Sequence, residues 1–166
     1  MSLGGRLCYA SVEGTDCRIY EPSPFDTRWF SHKFNGPGVR HEVAVSIIDG
    51  HIIWIHGPFP CGSHPDVNIF RLRMKEKLLG DEYVSADDGY GDERCVTTQE
   101  VSTSSSESSF LSRLRARHET VNRRLKQFLV ISHRYRHDLA LHCVCFHAVA
   151  QLTQLMIANG EPLFNM

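Results

Sequence analysis

The sequence contains no long hydrophobic run, and its first residues do not place a basic stretch before a continuous apolar one. We therefore expect neither a membrane-spanning helix nor a secretory signal. Clustered cysteines are also lacking, because the six present are scattered through a chain of 166 residues. A chain of that size folds without disulfides. These absences predict an intracellular protein with free thiols and no membrane partner.

The overall composition is that of an ordinary globular protein. Apolar residues make up 42% of the chain and charged residues 22%. This balance, the length and the lack of an internal repeat predict one domain that spans residues 1–166.

The net charge of −1 conceals a strong asymmetry between two segments. Residues 81–107 carry eight acidic side chains and a single base, Arg94, whereas residues 113–137 carry eight bases and a single acid, Glu119. One interpretation is an acidic site beside a basic surface, as an enzyme that acts on a polyanion needs. The other is two solvated faces that pair with each other.

Hydrophobic periodicity predicts a sheet that includes one hairpin. Residues 7–20 are predicted to form a first strand with a polar end at residues 13–16. In HEVAVSII, Val43, Val45 and Ile47 alternate before Asp49-Gly50, a two-residue turn signal, and HIIWIHG returns as the partner strand. A later strand, EYVSAD, leads into the acidic segment.

Helices are predicted on either side of that later strand. Ser63 is a candidate helix cap, and the helix that follows it is expected to stop at Gly80. Residues 96–109 are rich in Ser and Thr and predict a loop. A long helix is predicted from Phe110 and a last one, apolar almost all round, at 139–158.

Four carboxylates fall where neighbouring elements can bring them together. Glu13 and Asp16 close the predicted first strand, Asp87 follows the later strand, and Glu119 lies on the polar edge of the long helix. Two divalent metal ions held by such oxygens activate a water or a 3′-hydroxyl in phosphodiester cleavage. Hard oxygen ligands favour Mg²⁺ or Mn²⁺.

Three segments carry a resemblance to the catalytic domain of DDE transposases of the PIF/Harbinger type. They are VEGTD in the first strand, ADDGY after the later strand and RARHETVNRRLKQF on the long helix. HEVAVSIIDGHIIWIHGPFPCGSHPDVNIF resembles the family's segment between its two aspartates, so that the match covers nearly the whole chain. The resemblance implies an α/β domain with a ribonuclease H-like mixed sheet, in which an antiparallel hairpin joins parallel strands and helices cover the faces. It also implies that Asp87 is the second catalytic aspartate and Glu119 the catalytic glutamate.

The chain departs from the family pattern at its first catalytic position. Where the family has Asp-Gly-Thr, this sequence has Glu13-Gly14-Thr15. A glutamate still coordinates a metal, but it moves the ion by more than the roughly 0.5 Å that a preorganised site tolerates. Asp16 either substitutes for the missing aspartate or caps the turn. Two functions stay open: a metal-dependent DNA endonuclease and strand-transfer domain, or a catalytically inactive transposon relic that binds only DNA or protein.

DNA is the partner that the resemblance implies, and the nucleus the expected compartment. Basic residues on the long helix flank Glu119 and are candidates to contact phosphates. They are Arg115, Arg117, Arg123, Arg124 and Lys126. The first strand begins close to Met1, so we expect no amino-terminal DNA-recognition domain, and a homo-oligomer or a separate DNA-recognition protein would supply that role.

Other polar residues have simpler explanations. Asp66 falls in the first turn of a predicted helix, which favours capping, and Asp88 suits an exposed turn. The cluster HCVCFH at 142–147 has no common zinc spacing, and its cysteines are expected to point to different faces of an apolar helix. A structural zinc module is the third alternative.

Overall fold

The fold is described by a computed structural model that covers residues 2–3, 5–97 and 105–164. Its strands are β1 (Ser2–Leu3), β2 (Arg6–Arg18), β3 (Phe30–Ser31), β4 (Gly36–Ser46), β5 (Ile52–Pro60), β6 (Glu82–Ser85) and β7 (Cys95–Val96). Its helices are α1 (Asp66–Ile69), which continues through a π-helical turn at Phe70–Met74 into α2 (Lys75–Lys77), then α3 (Ser105–Leu125), α4 (Leu129–Ser132) and α5 (Leu139–Ala158).

The strands form a mixed sheet in the order β5-β4-β2-β6-β7. β4 runs antiparallel to both β5 and β2, whereas β6 runs parallel to β2 and β7 parallel to β6. Short β3 pairs with the start of β4, and β1 pairs with the start of β2. Helices cover both faces of this sheet, so the expectation of an α/β fold with an antiparallel hairpin and parallel strands is confirmed.

The predicted hairpin is present, with a longer turn and a longer first strand than the sequence indicated. Val45 pairs with Ile52, and the Gly50 amide donates to the Ser46 carbonyl at 3.1 Å. Gly50 adopts a φ of 76°, which explains the glycine in this turn. β4 already begins at Gly36, so residues 36–38 belong to the sheet and not to the preceding loop.

The predicted polar end of the first strand lies inside β2. β4 pairs with β2 from Ala10 to Arg18, whereas β6 pairs with it only as far as Ser11. Residues 13–16 therefore keep one neighbouring strand after the other has left the sheet. This departure of β6 opens the space in which the site forms.

Alternation along β2 separates two cores. Cys17 and Ile19 pack with α3, α4 and α5 on one face of the sheet. Ala10 and Val12 pack on the other face against Phe70 and the rest of the helical segment that starts with α1. From Ala10 onward, beyond a register shift between Cys8 and Ala10, a side chain at an odd position of β2 therefore faces α3, and one at an even position faces α1.

The first helix starts later than predicted and also stops earlier. Pro65 precedes its first residue, and the Ser63 hydroxyl lies 2.9 Å from the neighbouring His64 Nδ1 and does not cap the helix. The helical segment ends at Lys77, before Gly80.

Both predicted long helices are present, and the first of them begins earlier than predicted. α5 spans the predicted residues, and the Asp138 carboxylate caps it by accepting from the Ala140 amide at 2.9 Å. α3 begins at Ser105, five residues before Phe110. Residues 98–104 of the expected Ser/Thr-rich loop lie outside the described residues, and Cys95–Val96 at its edge is a strand.

α5 is long and apolar enough to cross a membrane, by length and composition only. We expected no segment of the sequence to be long and apolar enough to span a membrane, and α5 shows that this expectation is wrong. One face of α5, which includes His142, Phe146 and Ile157, is buried in the core, whereas Leu141, Val144 and Leu155 on the other face are more than half exposed. A core helix passes the same test, so this finding alone does not place the protein in a bilayer.

Candidate functional site

The register of β2 and β6 places two carboxylates side by side. Ser11 and Ser85 form the last pair between these strands. Each is followed two residues later by an acid, Glu13 on β2 and Asp87 after β6. α3 crosses the same end of the sheet and brings Glu119 to it. All three carboxylates line one cavity of about 220 Å³, although their residues are distant along the chain.

Side chains of α3 and β2 hold the Glu13 carboxylate in place. The Asn122 side-chain amide donates to Glu13 Oε2 at 2.9 Å and accepts from the Thr15 hydroxyl at 2.6 Å. Burial raises the pKa of Glu13, and the charges of Asp87 and Glu119 raise it further, whereas Lys33 lowers it. Three like charges therefore meet at this cavity at a cost in free energy.

His118 is a site residue that the sequence-based analysis did not select. It is buried, its Nδ1 lies 2.8 Å from the Ser11 hydroxyl, and its Nε2 lies 3.9 Å from Glu13 Oε2. Burial lowers its pKa to about 4, so the ring is neutral at pH 7. The spacing of four residues between His118 and Asn122 was the available signal, because it places both on the side of α3 that faces β2.

The segment after β6 is a turn anchored by an aromatic side chain. Asp87 is exposed, and its Oδ1 accepts from the Gly89 amide at 2.9 Å. Its carbonyl accepts from the Tyr90 amide at 3.1 Å, and the Tyr90 ring is fully buried in the core on the α1 face. Asp88 is exposed within this turn, as expected. The buried ring thus fixes the turn that presents Asp87 to the cavity.

Asp16 lies on the opposite face of the sheet from Glu13. The Arg40 guanidinium donates to both of its oxygens, at 2.6 and 3.0 Å, and the Ser31 hydroxyl donates at 2.5 Å. Burial raises the pKa of Asp16, but these hydrogen bonds outweigh it and the net shift is downward. Asp16 is not among the residues that line the cavity. Its contacts are those of a structural ion pair and do not support its substitution for Glu13.

Asp66 begins α1 as expected, yet its carboxylate approaches the strand that carries Glu13. Asp66 Oδ1 lies 3.3 Å from Arg40 Nε, and a Cβ added to Gly14 would meet the same oxygen at 1.8 Å. Burial raises the pKa of Asp66, and Asp16 and Asp87 also raise it, whereas Arg40 lowers it. Asp66 is therefore part of the electrostatic environment of the site, in addition to lying in the first helical turn.

The five candidate phosphate-binding residues differ in their surroundings. Arg115 lines the cavity, Arg123 is exposed on α3, and Lys126 is exposed in the turn that follows α3. Arg124 donates to the Glu161 carbonyl. Arg117 is buried and donates to the Ile47 carbonyl at 2.8 Å, so its predicted role in DNA contact is wrong. It ties α3 to the hairpin turn instead.

The His/Cys cluster of α5 does not converge on one point. His142 Nδ1 lies 3.0 Å from His41 Nε2 in the core, and the Cys143 thiol donates to the Gly57 carbonyl at 3.4 Å. Cys145 instead lies 3.9 Å from the Tyr135 hydroxyl. The six cysteines are free thiols. These contacts give the zinc alternative no support.

No family model, curated protein or solved structure matches this chain. The proposed function therefore rests on residue geometry and on the resemblance of the three sequence segments. In the part of the chain that the structure describes, no three His, Cys, Asp or Glu side chains are already arranged to hold a metal ion. The three cavity carboxylates supply the hard oxygens that Mg²⁺ and Mn²⁺ prefer, but these side chains must rotate to coordinate one ion together.

Proposed function

We propose that this chain is a transposase-derived, divalent-metal-dependent domain that cleaves DNA phosphodiester bonds and transfers strands. The observation that carries the proposal is the meeting of Glu13, Asp87 and Glu119, from three separate elements, at one cavity. The mixed sheet with its hairpin and parallel strands is compatible with the ribonuclease H-like fold that we propose for it.

The electrostatics of the cavity favour a bound cation. Burial raises the pKa of Glu13, and the charges of Asp87 and Glu119 raise it further, so they disfavour the ionised form of Glu13. A divalent ion between them would reverse this repulsion. Asp87 and Glu119 are exposed and able to change rotamer, whereas Glu13 is already oriented by Asn122. Glu13 is therefore the fixed ligand toward which the other two would move.

The residues around the cavity then have distinct roles in the proposed reaction. Bound Mg²⁺ or Mn²⁺ would supply the Lewis acidity that phosphodiester cleavage requires. Glu13, Asp87 and Glu119 would hold the metal, and Asn122 orients Glu13 by its hydrogen bond. Neutral His118 fills the space behind Glu13 without adding a charge. Arg115, at the rim of the same cavity, is placed to contact a phosphate of the substrate.

The alternative function is an inactive relic that binds only DNA or protein. The observation that favours it is Glu13, whose carboxylate extends one methylene further than the aspartate of the resembled family. Exposed Arg123 and Lys126 would then supply DNA affinity without chemistry. The two candidate functions differ in a measurable activity.

Nicking of supercoiled plasmid in Mn²⁺ separates the two functions. We expect nicking by the natural chain and its loss, by at least about a hundredfold, in Asp87→Asn and Glu119→Gln. Asp81→Asn, an exposed carboxylate outside the cavity, is the matched control and should nick as the natural chain does.

Comparison of the natural chain with the Glu13→Asp variant distinguishes an inactive relic from an active enzyme. Activity that appears only in Glu13→Asp would support the relic, and activity in both proteins would support the enzyme. Absence of nicking in both, together with no Mn²⁺-dependent rise in melting temperature, would contradict the metal-dependent proposal.

A further inference from the structure

A buried backbone bridge joins the end of β2 to the loop between α4 and α5. Ile19 and Tyr135 pair as an isolated parallel bridge, the Tyr135 amide donates to the Arg18 carbonyl at 2.8 Å, and the Tyr20 amide donates to the Tyr135 carbonyl at 3.1 Å. Ile19 and Tyr135 are both buried in the core. Because side chains alternate along extended backbone, their neighbours on each side project outward together.

Three arginines project from this bridge, each held against an aromatic ring. The guanidinium carbons of Arg134 and Arg136 lie 5.5 and 5.4 Å from the centre of the Tyr20 ring. That of Arg18 lies 4.4 Å from the centre of the Phe34 ring. Arg18, Arg134 and Arg136 are exposed, and Tyr20 is half exposed. We call these three side chains the arginine surface.

The hydrogen-bonding groups of the arginine surface are available to a ligand. Within the described ranges, no hydrogen bond or ion pair joins any of the three guanidinium groups to another residue. By contrast, Arg40 is paired with Asp16 and Arg28 with Asp26.

The rings beside these arginines restrict their motion and so reduce the entropy lost when they bind an anion. A guanidinium held over a ring still presents its planar edge, which matches the two oxygens of a phosphate.

The surface beside these arginines is concave. Arg18 and Arg134 line a cavity of about 260 Å³ together with Phe25, which is 63% exposed, and one acid, Glu21. Two arginines against one acid leave the cavity basic, and exposed Arg136 adds a third positive charge beside Tyr20. Its ligand is therefore an anion, and the exposed ring offers a surface for an attached base or sugar.

We propose that the arginine surface binds the phosphate backbone of DNA outside the segment that enters the carboxylate cavity. The inference rests on the proposed function, because DNA is the ligand of both sites. Five residues of extended β2 separate Glu13 from Arg18, a distance of about 17 Å. That is roughly half a helical turn of B-DNA. Because Glu13 and Arg18 project from opposite faces of the sheet, DNA that reaches both places would pass around the end of β2.

Binding of duplex DNA without metal tests this surface. Fluorescence anisotropy is measured in EDTA with a labelled duplex of about three helical turns, between about 50 and about 200 mM KCl. The Arg134→Ala/Arg136→Ala variant should bind roughly 10- to 100-fold more weakly, with a slope of log K against log salt that is shallower by about 2. The matched control is Arg73→Ala/Lys77→Ala, which removes the same charge from the exposed side of the first helical segment and should bind as the natural chain does.

A second variant tests the role of the aromatic ring. Tyr20→Leu keeps all three charges but removes the ring, and it should weaken binding by a few-fold while the salt slope stays unchanged. Circular dichroism of each variant checks that the fold is retained.

Equal binding by the double variant and its control would overturn the inference, as would a natural chain that binds no duplex DNA. Arginine-dependent binding without any nicking would support the surface and contradict only the catalytic proposal. Nicking that is independent of these arginines would support the catalytic proposal and contradict the arginine surface.

Discussion

Gly14 of β2 lies so close to the Asp66 side chain of α1 that position 14 has no room for a side chain of its own. Its neighbours along β2, Glu13 and Thr15, both contact Asn122 on one face of the sheet. On the other face, the Asp66 carboxylate and the Arg40 side chain occupy the place where a Cβ would lie. A change at this one position therefore reaches the surroundings of both Glu13 and Asp66.

Gly14→Ala is expected to lower the free energy of unfolding by about 1–3 kcal/mol, because the new methyl group displaces Asp66. Urea denaturation measures this loss. Gly91→Ala is the matched control and should be close to neutral, since a Cβ there meets nothing within 4 Å. If Gly14→Ala were as stable as Gly91→Ala, the close contact with Asp66 would be wrong.

At the scale of single residues, the sequence predicted that Glu13, Asp87 and Glu119 meet, but it also included Asp16, which lies outside the cavity, and it did not indicate how each carboxylate is held. Glu13, Asp87 and Glu119 follow from strand ends and helix faces, which local patterns report. The burial of His118 and the hydrogen bond from Asn122 to Glu13 depend on how α3 lies across β2, over a separation of more than one hundred residues. No short window of sequence contains that information.

At the scale of elements, one base of α3, Arg117, makes a structural contact with the hairpin turn that the charge pattern of the sequence did not indicate. Arg117 lies one turn from Arg113 and two residues from Arg115, in a segment whose bases looked equivalent in the sequence. Its guanidinium is buried and joins α3 to the turn of the hairpin at Ile47. Gly50 in that turn is also constrained, because a Cβ there would meet the Arg117 side chain at 2.4 Å.

Arg117→Ala should lower the free energy of unfolding by about 2 kcal/mol, since the Ile47 carbonyl loses a charged donor and a cavity remains. Thermal or urea denaturation checks this. Arg123→Ala, on the exposed side of the same helix, should change stability by less than about 0.5 kcal/mol. A stable Arg117→Ala variant with reduced DNA affinity would restore the role in DNA contact that the structure denies it.

The bounds of the elements were predictable only in part, for a reason that the hairpin and α3 illustrate. Alternation of Val43 and Val45 identified the centre of β4, whose extension to Gly36 is set by pairing with β2 and β3. Ser and Thr favour loops in isolation, yet residues 105–109 continue α3. For β4, pairing with neighbouring strands outweighs local preference; for residues 105–109, extension of a helix that has already formed does so.

At the scale of the whole molecule, the sheet buries a carboxyl group that the sequence did not single out. Glu42 on β4 is 1% exposed, and its Oε2 accepts from the Trp54 indole at 2.9 Å. Its Oε1 has no hydrogen-bond partner among the described residues. Burial raises the pKa of Glu42 to about 7, so folding disfavours its ionised form.

Glu42→Gln should therefore stabilise the fold in a pH-dependent way. Below the ordinary pKa of 4.5, Glu42 is protonated whether the chain is folded or unfolded, so the variant and the natural chain should differ little. As the pH rises to about 7, the unfolded chain loses this proton first, and the natural fold loses stability. Above that pH the variant should be more stable by on the order of 3 kcal/mol.

Urea denaturation at pH values on either side of this range measures the difference. Glu76→Gln, on the exposed side of the first helical segment, is the matched control and should show no such pH dependence. A constant difference between Glu42→Gln and the natural chain at all pH values would contradict the assigned pKa.

Because β2 and β6 separate after Ser11 and Ser85, mutation would abolish the proposed chemistry of this protein more easily than its fold. One residue inserted into β6 would turn Asp87 toward the opposite side of the sheet, because successive side chains alternate. The flanking apolar residues could repack, and the molecule would survive as a stable scaffold. Under the proposed function, one such insertion would abolish cleavage while the arginine surface kept its binding of DNA.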